Sequence, residues 1–168
     1  MISEKLEKAI NNQINKEMFS AYYYYSMAAY LETIGLSGFA NFFKIQVAEE
    51  RYHTDKFFKY LNERGGTVRL EAIAKPPADF GSALHVFELA LQHEEYVTKS
   101  INDVMALAVE EKDFATVSFL NWFVDEQVEE EATMNEMVNH LKLINGEGKG
   151  VLLLDRELAK RTFTPPEL

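Results

Sequence analysis

Four glutamates interrupt the apolar stripes of four long helical patterns in this 168-residue chain. Each stripe repeats at steps of three and four residues, the spacing that keeps side chains on one face of a helix. The interrupting residues stand near the middle of each stripe, and they are Glu17, Glu50, Glu94 and Glu130. A carboxylate that is buried without a partner costs several kcal/mol. The pattern therefore predicts that a positive charge meets these four side chains in the interior.

Metal ions are the partners that the residue types favour. No lysine or arginine stands among the stripe positions around these glutamates, and the chain has no cysteine, so a metal must be held by oxygen and imidazole. Divalent cations would balance the charge and satisfy the carboxylate oxygens. Glu50 and His53 are three residues apart and share one helix face, so together they can hold one metal from two points. The residues thus predict a dinuclear metal site.

An internal repeat supports two metals rather than one. Three polar positions of the first half have counterparts at the same spacing, 77 residues later, in the second half. The pairs are Glu17 with Glu94, Glu50 with Gln127, and His53 with Glu130. Two helix pairs that face each other across a pair of metal ions would produce such two-fold pseudo-symmetry.

The stripes also define the elements that must position these residues. We expect long helices at about 4–34, 38–64, 82–111 and 114–144, and a short fifth helix at about 150–161. Ser37 is a candidate cap for the second helix. Pro76, Pro77 and Gly81 mark residues 66–81 as a long crossover loop. No alternation of period two predicts a sheet. The expected fold is an all-α four-helix bundle, at about 4–145, with a long crossover between helices 2 and 3.

Length and charge limit the remaining possibilities. A chain of this length is expected to form a single domain, 1–168. Its 17 Lys+Arg against 27 Asp+Glu give a net charge of -10, so we expect neither nucleic acid nor a membrane as a partner. No apolar run approaches the roughly 20 residues that span a bilayer. The N-terminal residues are charged and do not resemble a secretory signal, so the cytoplasm is the expected location.

Taken with these motifs, the chain resembles the bacterial and archaeal non-haem ferritins over nearly its whole length. The matching stretches are Asn15–Glu17, Glu49–His53, Arg64–Gly66, His93–Glu95 and Asp125–Glu131. The last is the most specific, because Gln127-x-x-Glu130 stands where bacterioferritins carry a second Glu-x-x-His. Bacterioferritins also bind haem through a methionine just before the histidine of the first motif. Tyr52 stands there in this chain, so we expect no haem.

The resemblance implies a role for each site residue. It implies that Glu17, Glu50 and His53 bind a first iron. Glu50 would bridge to a second iron, held by Glu94 and Glu130, with Gln127 hydrogen-bonded close by. A third iron site would be formed by the carboxylates at Glu49, Glu126, Glu129 and Glu130.

Tyr24 stands two turns beyond Glu17 on the same helix face. It is a candidate to donate a hydrogen bond to a ligand or to take part in redox chemistry. Aromatic packing is the alternative for this side chain.

The resemblance also implies a function. It implies an iron-storage protein that oxidises Fe(II) with dioxygen or peroxide at an intrasubunit di-iron ferroxidase centre. The oxidised iron would be deposited as ferric mineral inside a homo-oligomeric shell of about 24 subunits. The apolar segment Val151–Leu154 would then need a partner, either another subunit or its own bundle, and the sequence leaves both open.

Several other functions share parts of this pattern. One is a different di-iron carboxylate enzyme, such as a small oxidase or a rubrerythrin-like peroxidase, although rubrerythrins usually carry a cysteine-rich iron domain that this chain cannot form. The smaller starved-cell DNA-protection proteins place their iron site between subunits, whereas this chain carries a complete ligand set. A metal-free helical interaction module and a passive iron or zinc buffer are the two remaining alternatives.

Overall fold

A computed structural model of the chain describes residues 1–146 and 148–166. Five helices form the regular structure of these residues, and no strand occurs among them. The helices are α1 (Glu4–Thr33), α2 (Ser37–Glu63), α3 (Ala83–Glu110), α4 (Phe114–Leu143) and α5 (Gly148–Leu158). The predicted all-α bundle with a short fifth helix is confirmed. The predicted domain 1–168 includes Glu147, Glu167 and Leu168, which lie outside the described residues, and one domain for the whole chain stays a prediction.

Two helix pairs make the bundle. Because their links are short, α1 packs along α2 and α3 packs along α4, while the connection 64–82 carries the chain from one pair to the other. Asn11 of α1 holds this crossover in place. Its side-chain nitrogen donates to the carbonyl oxygen of Thr67 at 3.0 Å, and its side-chain oxygen accepts from the backbone N–H of Arg69 at 2.6 Å. The long crossover between the second and third helices is therefore present, as predicted.

The start of α2 differs from the prediction. Ser37 is already the first helical residue, and no side chain of the preceding Leu36 caps the helix, so the predicted Ser37 cap is wrong. Asp155 of α5 replaces it: its Oδ1 accepts from the backbone N–H groups of Gly38 at 2.8 Å and Phe39 at 3.0 Å. A Cβ added at Gly38 would lie 1.7 Å from the carbonyl oxygen of Asp155, so this contact requires glycine.

The fifth helix ends earlier than predicted. It stops at Leu158 rather than near 161. The backbone then closes in tighter turns, with the N–H of Arg161 donating to the carbonyl oxygen of Leu158 at 3.1 Å. The side-chain nitrogen of Asn41 on α2 donates to the carbonyl oxygens of both Leu158 and Arg161, at 3.0 and 3.1 Å. The chain beyond α5 is thereby tied along α2.

Two apolar clusters fill the interior, one toward each end of the bundle. The first includes Leu31, Phe39, Phe43, Phe87 and Met134, and the second includes Leu6, Ile10, Phe57, Ile101 and Leu120. Along α1 the second cluster ends at Ile14 and the first begins at Ala21. Glu17 lies between them, so a polar layer separates the clusters near mid-bundle.

The apolar residues of α5 lie on two faces of the helix, one packed against the bundle and one exposed. Val151 is buried against the bundle, whereas Leu152 and Leu153 are 55% and 63% exposed. The segment Val151–Leu154 therefore docks on its own subunit and also leaves an apolar face uncovered. In residues 1–146 and 148–166, no helix has the length and apolar character needed to cross a membrane.

Candidate metal centre

The layer between the two clusters contains buried polar side chains from all four long helices, and six of them are residues that the sequence predicted for the site. None of the six is more than 5% exposed to solvent. They are Glu17 from α1, Glu50 and His53 from α2, Glu94 from α3, and Gln127 and Glu130 from α4. The structure thus places every one of the predicted primary site residues in the same interior layer.

One group of three side chains could bind a metal directly, and it consists of Glu17, Glu50 and His53. Nδ1 of His53 lies 3.5 Å from Oε2 of Glu50 and 4.0 Å from Oε2 of Glu17. One ligand atom from each residue falls within 4.8 Å of the others. When both carboxyls are ionised, neither Oε2 atom has a hydrogen-bond donor among the described residues, whereas a protonated Glu50 can hydrogen-bond to Glu17. Buried, unsatisfied carboxylate oxygens beside an imidazole nitrogen fit a divalent cation.

His53 is suited to bind a metal because burial keeps it neutral. Its pKa is lowered to about 3 by burial first and by the nearby charge of Lys56 second. A neutral imidazole keeps a lone pair on one nitrogen, and that lone pair is what coordinates a metal.

In the opposite half of the layer, the carboxylates already accept hydrogen bonds. Tyr24 donates from its hydroxyl group to Oε1 of Glu94, and Gln127 donates from Nε2 to Oε2 of Glu94 at 3.1 Å. Gln46 donates from Nε2 to Oε2 of Glu130 at 2.7 Å. Each oxygen of Glu94 therefore has a donor, and the lone pairs that remain on these oxygens are available to a metal. Gln127 and Tyr24 lie beside the centre as donors to Glu94.

The buried carboxyls share a common electrostatic strain. The pKa of Glu94 is raised to about 7 by burial, although the hydrogen bonds from Tyr24 and Gln127 oppose that rise. Burial also raises the pKa of Glu50 and of Glu130 well above the ordinary range, and the charge of Glu94 adds to both shifts. A bound cation would favour the ionised carboxylates and release their protons.

The residues expected at a third site are more scattered. Glu126 is half-buried, and its Oε1 lies 4.0 Å from Nε2 of His53. Glu126, His53 and Glu130 form a second group whose ligand atoms lie within 4.8 Å. Glu49 is half-buried and paired with Arg161, and Glu129 is exposed. Within the described residues, neither Glu49 nor Glu129 joins a group able to hold a metal.

Several polar residues of this region were missed by the sequence reasoning. Gln13 and Ser100 are buried and hydrogen-bonded around Glu17, and Gln46 is buried against Glu130. The signal was present for the two glutamines, because each precedes a site glutamate by four residues and shares its helix face. Ser100 gave no such signal, since it reaches Gln13 from a different helix.

A bundle of four helices that projects carboxylates and histidine into its core is the architecture of the di-iron and di-manganese carboxylate proteins. The family model described as Ferritin-like domain matches residues 7–144. The chain belongs to the ferritin family.

Relatives of known name agree with this assignment. The chain is 43% identical over 163 residues to a bacterial non-heme ferritin from Staphylococcus aureus (strain MRSA252), a match that covers 97% of this chain and 98% of that protein. It is 41% identical, with the same coverage, to a bacterial non-heme ferritin from Staphylococcus haemolyticus.

Solved structures are equally similar. An open pore ferritin from the hyperthermophilic archaeon Archaeoglobus fulgidus superposes with a TM-score of 0.95 at 48% identity, covering 96% of this chain and 100% of that one. An engineered closed form of the Archaeoglobus fulgidus ferritin gives a TM-score of 0.96 at 48% identity, covering 98% and 100%. Membership of the family supports iron storage, iron binding and a multi-subunit assembly.

Proposed function

We propose that this protein oxidises Fe(II) to Fe(III) at a centre built within one subunit, and stores the product as a ferric mineral inside a shell. One observation carries the proposal. The buried Oε2 atoms of Glu17 and Glu50 lack hydrogen-bond donors among the described residues and converge on Nδ1 of His53. Buried polar atoms in proteins rarely lack a partner, and a bound cation would supply the partner here.

The first Fe(II) would bind to Glu17, Glu50 and His53, because these side chains are already placed and free. The second Fe(II) would bind to Glu94 and Glu130, with Glu50 as the bridge. Tyr24 and Gln127 would orient Glu94 for this second ion through their hydrogen bonds. Two substrate ions per subunit would therefore occupy one position whose Oε2 ligand atoms have no donor and one position whose ligand Glu94 is already hydrogen-bonded.

Electron transfer is favoured by the type of ligand. Carboxylates are hard ligands that stabilise Fe(III) over Fe(II), so they ease the oxidation. Two Fe(II) ions each lose one electron, and dioxygen takes both electrons with two protons to give hydrogen peroxide. If peroxide is the oxidant, it takes two electrons and two protons to give two water molecules. Raised carboxyl pKa values mean that protons are present at the centre before iron binds.

The oxidised iron must then leave the centre. Among the described residues, His53 is the histidine in both groups of possible ligands. A centre with a single nitrogen ligand would hold Fe(III) less firmly than a histidine-rich site. Glu126 lies next to His53 and offers a carboxylate toward which iron can move. We propose the third site here, with Glu49, Glu129 and Glu130 as its other carboxylates. The centre requires no haem.

The shell is proposed to contain about 24 copies of one subunit, each a single domain of 19.3 kDa, in the cytoplasm. The exposed Leu152 and Leu153 on α5 support this, since an apolar helix face is covered when subunits meet. Native mass spectrometry with stoichiometric Fe(II) titration tests both parts together. A native mass near 24 subunits supports the shell, whereas a stable dimer would overturn it.

Aerobic addition of Fe(II) to wild type and to Glu50→Ala tests the oxidase itself. We expect Glu50→Ala to lose most of the oxidation rate, and the matched variant Glu63→Ala, exposed on the same helix, to keep it. Equal oxidation rates in wild type and Glu50→Ala would show that the oxidation does not occur at this site. Binding of Fe(II) without oxidation in wild type would instead favour a passive iron buffer.

A further inference from the structure

A chain of three hydrogen bonds leads from the outer part of the bundle to Glu17. Nζ of Lys16 donates to Oγ of Ser100 at 2.5 Å, and Oγ of Ser100 donates to Oε1 of Gln13 at 2.5 Å. Nε2 of Gln13 then donates to Oε1 of Glu17 at 2.7 Å. None of the first three residues, Lys16, Ser100 and Gln13, is a ligand of the proposed centre. The series of hydrogen bonds nevertheless ends on a ligand, Glu17.

The direction of every bond in this chain follows from the groups involved. An ammonium group only donates, so the Ser100 hydroxyl must accept from Lys16 and use its single proton toward Gln13. The Gln13 oxygen accepts this hydrogen bond from Ser100, and the amide NH2 group of Gln13 therefore faces Glu17. Gln13 is 1% exposed and Ser100 is 5% exposed, so water competes little for these bonds. The amide orientation is therefore fixed from both ends.

A comparison with Gln46 shows how the hydrogen bonds from Ser100 and Lys16 affect the orientation of Gln13. Gln46 also donates to a site carboxylate, Glu130, but its own oxygen has no hydrogen-bond donor among the described residues. Nothing comparable to Ser100 selects its orientation. Of these two glutamines, Gln13 is the one whose amide oxygen is also held by a further residue.

One oxygen of Glu17 is occupied as a result. Oε1 accepts from Gln13, while Oε2 has no donor among the described residues and lies 4.0 Å from Nδ1 of His53. We propose that Gln13, oriented by Ser100 and Lys16, is a positioning residue that makes Glu17 bind the first metal through Oε2 alone. This inference rests on the proposed function, since it requires Glu17 to be a ligand. Partners that hold metal ligands in this way commonly change metal affinity by about 10- to 100-fold.

The test uses Co(II) alone as the probe, added anaerobically to the assembled, metal-free protein. Gln13→Leu keeps the side-chain volume and removes both hydrogen bonds. We expect it to weaken the first Co(II) site by about tenfold or more. We also expect a changed visible absorption spectrum, because a freed Oε1 alters the coordination of the metal. Gln92→Leu, the same substitution at an exposed position of α3, should bind Co(II) as wild type does.

Ser100 supplies a conservative pair for the same test. Ser100→Ala should shift affinity and spectrum in the direction of Gln13→Leu, and Ser100→Thr, which keeps the hydroxyl group, should restore both. If Gln13→Leu does not fold, this pair decides the question. Loss of affinity with an unchanged spectrum, or no rescue by Ser100→Thr, would mean that the chain only stabilises the fold, and the positioning role would be overturned.

Glu17→Ala separates this inference from the proposed function. Wild-type binding of the first Co(II) by Glu17→Ala would refute the centre itself. If Glu17→Ala loses that site while Gln13→Leu and Ser100→Ala match wild type in affinity and spectrum, the centre stands and the positioning role of Gln13 falls.

Discussion

The guanidinium group of Arg161 contacts both carboxylate oxygens of Glu49, at 3.1 and 3.2 Å. The same group lies over the ring of Phe42, 4.4 Å from its centroid. Farther along the tail, the ring of Phe163 lies 6.4 Å from that of Tyr52. The segment after α5 therefore brings its own cation to a carboxylate that we propose for the third iron.

Removing this internal cation should strengthen the third site. Because Arg161 and iron compete for Glu49, we expect Arg161→Gln to raise the affinity for a third metal ion by about two- to fivefold, the range of a partly exposed ion pair. Stoichiometric titration calorimetry with a divalent metal would measure it. Arg156→Gln, exposed on α5, is the matched control. A third-site affinity identical in wild type and Arg161→Gln would show that Glu49 takes no part in metal binding.

Tyr24 should matter more for the second iron than for the first. Its hydroxyl group donates to Glu94 and helps keep that carboxyl ionised against the burial that raises its pKa. We expect Tyr24→Phe to slow Fe(II) oxidation by about tenfold while leaving the first metal site nearly intact. Stopped-flow oxidation and Co(II) binding measure the two effects. Tyr25→Phe, on an exposed ring of the same helix, should behave as wild type. An unchanged oxidation rate in Tyr24→Phe would contradict this role.

The helices and the inward glutamates could be predicted because both follow from periodicity within a single stretch of chain. Glu17 and Glu50 keep the phase of their apolar stripes, and that phase alone assigns them to the interior. The short links and the proline-containing crossover then fix the order of the helices.

Contacts between distant residues could not be predicted in this way. Ser100 reaches Gln13 across 87 positions, and Arg161 reaches Glu49 across 112. Asp155 caps α2 although it lies 117 positions away in sequence, and for this reason the prediction of a Ser37 cap was wrong. No periodicity or spacing along the chain encodes which surfaces meet, so the donors that tune the site became visible only in the folded structure.

Neutralising Glu50 should stabilise the metal-free protein. Burial raises the pKa of Glu50 well above its ordinary range, so at neutral pH this side chain costs folding free energy whether it ionises or holds a proton. We expect Glu50→Gln to raise the free energy of unfolding by about 1 kcal/mol or more, seen as a thermal midpoint that rises by roughly 2–4 °C per kcal/mol. Added metal should no longer raise the thermal midpoint of Glu50→Gln. Glu63→Gln should change neither quantity, and a lower midpoint for metal-free Glu50→Gln would refute the electrostatic strain.

Glu94 should make the metal-free protein less stable as pH rises. Its pKa is about 7 in the folded state against 4.5 ordinarily, because burial disfavours the ion. Between these values the folded state retains a proton that the unfolded state has lost, so stability falls with rising pH by at most about 1.4 kcal/mol per pH unit.

His53 has the opposite effect on stability. Because burial lowers its pKa from 6.5 to about 3, stability rises with pH between these two values. Comparison with Glu94→Gln removes this contribution, since both proteins contain His53. Guanidinium unfolding of metal-free protein at pH 5 and pH 7, at one subunit concentration, would measure the difference. Wild type should lose stability relative to Glu94→Gln over this interval, and added divalent metal should reverse the loss because it binds the ionised carboxylate. Parallel pH profiles for the two proteins would show that Glu94 already ionises at its ordinary pKa inside the bundle.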